Sequence, residues 1–202
     1  MSHPPASVER LQPGLFIASL LSFALTALTL SAYWYGGGSL DSVRFIDRMT
    51  IRVAVVLFSL AYAAPELALL LPINATRRLL AHRRTISIVF VVAFALHLCA
   101  IARFYQIDPL EFWSVSPVLL IVLRGIGVAF VAVILLAAVN KGGLGHWKGL
   151  ADFGSIYVAG AFLSGFAKRV PQDHFYILPV VLLLATFTVK LLGAMRRSRL
   201  SG

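Results

Sequence analysis

Six apolar runs, each long enough to cross a bilayer, govern what this 202-residue chain can fold into. They cover residues 15–33, 51–71, 86–105, 117–139, 150–166 and 175–195. About 20 apolar residues span the ~30 Å hydrocarbon core as a helix. Lipid offers no partner to a backbone amide, so a spanning segment must bond to itself. Hydrophobic residues make up 59% of the chain and charged residues 13%, against about 45–50% and about 25% in soluble domains. The expectation is an all-α membrane protein, a six-transmembrane-helix bundle with short loops and up-down topology. A polar tail (1–14) and a basic tail (196–202) flank a single membrane domain (15–195).

The first run is too long for a signal peptide, whose apolar core has about 7–15 residues. It ends in Tyr33-Trp34-Tyr35, an aromatic belt at the interface, so a retained helix is expected. The glycines Gly36-Gly37-Gly38 and Asp41 open a loop before the second run. The longest stretch outside the runs is about 15 residues, which leaves no room for a nucleotide, nicotinamide or flavin domain. The net charge is +10. Its basic residues cluster beside apolar runs, which points to topology and attraction to anionic lipid rather than to nucleic acid. One side of the bundle would carry Arg10, Arg77, Arg78, Arg83, Arg84, Lys141, Lys148, Arg196, Arg197 and Arg199. The other would carry Arg44, Arg48, Arg52, Arg103, Lys168 and Arg169. The excess places both termini in the cytoplasm and the chain in a bacterial inner membrane.

Few residues inside the runs carry chemistry. His97 is the one histidine in mid-membrane, where ionisable groups face a partner or a cavity. Phe90, Ala93, Ala100, Ile101 and Phe104 share its helix face. Alanines above and below an imidazole leave a flat slot that would take a porphyrin edge, with His97 as axial ligand to haem iron. The alternative is a hydrogen bond from His97 to a neighbouring helix. Arg124 either snorkels outward or binds an anionic group such as a haem propionate. Glu66 follows Pro65, a residue that kinks or breaks helices, and is expected to face the basic loop at Arg77 and Arg78. Asp152 and Lys148 form an i,i+4 pair. Gly160/Ser164 and Ala161/Gly165 give the fifth run a small-residue face, for tight packing in the bundle or for homodimerisation. The sequon Asn74-Ala75-Thr76 falls in the basic loop and is read as chance. Cys99 is the single cysteine, so no internal disulfide forms. No hydrolase triad, no zinc-protease motif and no polar stripe for a channel is present.

The third run carries a resemblance. Arg77-Arg78-Leu79-Leu80, Arg83-Arg84-Thr85-Ile86 and Ala93-Phe94-Ala95-Leu96-His97-Leu98 resemble the ferric reductase-like transmembrane domain family, closest to the haem-binding membrane subunit of the periplasmic methionine sulfoxide reductase system. The Gly36-Gly37-Gly38 loop, Asp47-Arg48-Met49-Thr50 and Gly145-His146-Trp147-Lys148-Gly149-Leu150 follow in the family's order. The resemblance covers roughly residues 11–195. It implies a six-helix bundle holding haem b between the third and fifth spans, with His97 as a ligand. The implied chemistry is transmembrane electron transfer from a cytoplasmic flavin or quinone donor, with a separate reductase or periplasmic redox partner. The chain would then be at most the electron-transferring subunit of an oxidoreductase. The family's fifth-span histidines are missing: Ala151 or Asp152 and Ser164 stand there. Three outcomes stay open. Haem binds with a weak or absent sixth ligand, a partner supplies the ligand, or the chain is a degenerate, cofactor-free scaffold or accessory subunit.

Overall fold

The structure, a computed structural model, describes residues 13–139 and 145–200. Its helices are α1 (Pro13–Tyr35), α2 (Leu40–Leu70), α3 (Asn74–Ala81), α4 (Arg83–Ile107), α5 (Pro109–Val115), α6 (Val118–Val139), α7 (Gly145–Ala167) and α8 (Ile177–Leu200). A 3-10 turn, His174–Tyr176, precedes α8. Six of the helices are long and apolar enough to cross a membrane. They correspond one to one to the six runs, and no strand occurs among the described residues.

α2 is the most buried helix of the bundle. Half of its apolar window is buried, against 6% for α1 and for α6. α2 packs along α4 and α8; α4 meets α6, α6 meets α7, and α7 meets α8. These five helices close a ring, and α1 lies outside it against α4 and α2. The ring's core is aromatic. Phe58 of α2 stands 5.5 Å from Phe90 of α4 and 5.7 Å from Phe162 of α7, centroid to centroid. Offset and edge-on ring pairs at such spacings are favourable beyond the area they bury.

Two helices differ from the apolar runs. α2 begins at Leu40, about eleven residues before the second run. The expected loop there is a single turn, because Gly37 and Gly38 take positive φ (61° and 64°) and close α1. Ser39 then caps α2, accepting from the Ser42 amide at 3.3 Å. At 31 residues α2 is roughly 46 Å long, so its first turns reach beyond the hydrocarbon core. The basic C-terminal tail is helical through Leu200 and continues α8.

Pro65 does not interrupt α2. A proline leaves the carbonyl four residues earlier without its helical donor. That carbonyl is Ala61 O, and Arg83 Nε of α4 donates to it at 3.0 Å. The small-residue face of α7 does not pack inside the bundle. Ala161, Ser164 and Gly165 are exposed, and a Cβ on Gly160 or Gly165 would meet nothing within 4 Å. The close approach is at Gly154, where a Cβ would lie 2.6 Å from the Phe130 ring of α6.

Thr85 Oγ1 donates to Gly14 O (3.0 Å), and Arg196 donates to Leu70 O (3.2 Å). The start of α1 and the end of α8 therefore share one face with α3. The glycine turn and α5 form the opposite face.

Candidate functional site

His97 sits about fourteen residues along α4 from Arg83, roughly 21 Å at ~1.5 Å per residue. Its partner is Asp47, in the early, charged part of α2. His97 Nδ1 lies 2.8 Å from Asp47 Oδ1 and 3.3 Å from the Asp47 carbonyl oxygen. Both side chains are largely buried, 15% and 23% exposed. The ring thus turns Nδ1 towards Asp47, where the backbone carbonyl can accept from it, while the carboxylate Oδ1 stands close by with no hydrogen bond of its own. A backbone carbonyl on the second ring nitrogen is one of the groups that orient a metal-ligating histidine. Asp47 carried no predicted role beyond the resemblance. Its signal was a carboxylate seven residues inside what is now a helix.

The alanine face does not form a slot. Ala93 is fully buried in the aromatic core with Phe58 and Phe90. Ala100 is buried in a second cluster with Val43 and Ile46 of α2. The small side chains beside His97 let α2 lie close against α4, and α2 fills the space. Towards α7, Phe94 meets Phe162 at 6.2 Å and lies 6.0 Å from the His97 ring. A cavity in the ring, lined by Tyr62, Arg83, Ser87 and Ser155 among others, has a volume of about 20 Å³. That holds one water, whereas ligands of cofactor size fill several hundred Å³. On α7, Asp152 is exposed, and Ser164 Oγ donates back to Ala161 O at 3.0 Å. These residues fit one axial ligand held by a backbone carbonyl. They do not fit a tetrapyrrole held between α4 and α7. Among the described residues no three His, Cys, Asp or Glu side chains group as a metal site.

Arg124 of α6 reaches back towards the opposite face and donates to Ser116 Oγ at 2.9 Å, a snorkelling arrangement. Other arginines of that half are paired as well. Arg44 pairs with Glu111 of α5 and lies 5.7 Å from the Phe104 ring. Arg52 sits 3.4 Å from Asp173 and 4.9 Å from the Tyr176 ring.

A second buried cluster lies towards the termini. Glu66 is 2% exposed, and its Oε1 accepts from Lys190 Nζ at 2.9 Å and from Arg197 at 2.8 Å. Lys190 Nζ also stands 4.3 Å over the Tyr62 ring. Glu66 thus faces α8, not Arg77 and Arg78 of the basic loop. The reason is space: Gly193 of α8 has no side chain, and a Cβ there would collide with Glu66 Cγ. Lys190 was missed from sequence. It is a lone cation inside the sixth run, and a carboxylate at depth demands such a partner.

His174 is exposed in the turn before α8. His3, Arg10 and Lys141 lie outside the described residues, as do the side chains of His146 and Lys148, on which the expected pair with Asp152 depends. Thr76 of the sequon is engaged in starting α3, its hydroxyl donating to Ile73 O at 2.9 Å. Neither a family model nor a curated protein nor a solved structure matches the chain.

Proposed function

We propose that this is an inner-membrane accessory subunit of ferric reductase-like type, in which side chains occupy the haem slot and the buried charges hold helices together. Both termini are cytoplasmic in this reading, since the face with α3 carries the larger share of basic residues. One observation carries it. Phe94 and Phe162 meet across the α4–α7 line, while α2 covers the alanines beside His97. The test is purification in mild detergent from a haem-competent host, with absorption spectra before and after dithionite. A haem content well below one per chain, unchanged in His97→Ala, is expected. About one haem b per chain would overturn the reading.

A second reading keeps the electron-transfer role, with haem b on His97 and a ligand or electron partner from another chain. The Asp47–His97 geometry favours it, because it leaves Nε2 as the available donor. Haem that appears only on co-expression with a redox partner, and is lost in His97→Ala, would support this second reading.

A further inference from the structure

We propose that the groove between the start of α1 and the α3–α4 corner binds the phosphate headgroup of an anionic phospholipid. The groove has a volume of about 350 Å³. His82 and Arg84 line it, together with Leu15, Ala81, Thr85 and Ile88. No carboxylate lines it. The polar and apolar parts are ordered along the membrane normal. His82 precedes α4 and Arg84 lies in its first turn, and Ile88 follows one turn deeper, about 6 Å further along the helix from Arg84. Leu15 faces the same space from α1. A ligand that matches this order has an anionic head at the interface and an apolar tail below it.

The floor is built, not incidental. Thr85 is buried and its hydroxyl donates to Gly14 O at 3.0 Å, which ties α1 to α4 beneath the groove. A Cβ on Gly14 would stand 2.9 Å from Thr85 Oγ1, so glycine lets the two helices meet there without filling the mouth. Arg77 and Arg78 are exposed on the adjoining α3 and extend the positive field. Basic pockets between helix ends on the more cationic face are where anionic headgroups bind. A free phosphate ester would use the cations and leave the apolar wall unused; a phospholipid uses both.

Native mass spectrometry and thermal unfolding of the detergent-solubilised full chain test this with three probes: phosphatidylglycerol, phosphatidylcholine and glycerol phosphate. Phosphatidylglycerol is expected to stay bound and raise the melting temperature, and the other two are expected to do neither. Arg84→Gln should weaken phosphatidylglycerol binding about five-fold, the loss of one cationic contact, and adding His82→Ala should weaken it further. Ile88→Trp narrows the apolar part of the groove without touching its charge and should also weaken retention. It carries the comparison if the charge variants do not fold. Equal retention of phosphatidylcholine, an equal effect of glycerol phosphate, or unchanged binding in Ile88→Trp would each overturn the proposal.

Discussion

Glu66 shows what a single buried carboxylate requires of its neighbours. Its side chain is 3% exposed, and two cations from α8 converge on one oxygen. Removing one partner of a fully buried ion pair costs about 3–5 kcal/mol. Lys190 keeps 24% of its side chain exposed and can turn towards the interface, so Glu66→Ala should cost less, about 2–3 kcal/mol. Replacing both partners by apolar residues, Glu66→Leu with Lys190→Met, should cost less than the sum of the two single changes. Thermal or denaturant unfolding in a fixed detergent measures this cycle. Additive losses would mean that the pair does not couple. Gly193→Val places methyl groups against Glu66. It should destabilise by about 1–3 kcal/mol, as overpacking does, and Glu66→Ala should relieve part of that loss.

At the scale of the element, α2 holds two features that a hydropathy profile hides. Its charged first turns are helix because Ser39 caps them and because Arg44, Asp47 and Arg52 each find a partner on a different element. Its proline is tolerated because a side chain from α4 takes over the freed carbonyl. Arg83→Ala should therefore cost about 1.5–3 kcal/mol, the range for a hydrogen bond to a charged group. In a Pro65→Ala background the Ala61 carbonyl regains a helical donor, and the same change should cost clearly less. Equal costs in the two backgrounds, read from melting curves, would rule this account out. The α6–α7 contact is equally specific. Gly154→Leu should separate the pair and lower stability, whereas Gly160→Leu, with open space around it, should be nearly neutral.

For the whole molecule, an even number of spans puts both ends on one face, and basic residues set which face that is. With Cys99 replaced by serine as background, Ser114→Cys on α5 should react with a membrane-impermeant maleimide in intact cells. Arg78→Cys on α3 should react only after lysis. The reverse pattern would invert the topology proposed above. The ring arrangement also explains how little polar surface the interior carries. α2 is its most buried helix, charges pair at the two ends of α2, and aromatic rings fill the middle.

The sequence by itself determined the fold class and the number of spans, because apolar length and the cost of an unbonded backbone in lipid are local properties. Run boundaries agreed best where a helix is apolar to its ends, as in α6. They fell short where charges lie inside a helix, as in α2, since hydropathy scores Arg44 or Asp47 as loop until a partner is known. His97 and Glu66 were legible as groups in need of partners. Only the tertiary structure decided which partners: Asp47 for the one, Lys190 and Arg197 for the other. The same holds for the alanine face of α4, which sequence allowed as a ligand slot and packing gave to α2. A helix face carries no record of what will cover it, because that depends on the depth, rotation and side-chain volume of helices far away in the chain.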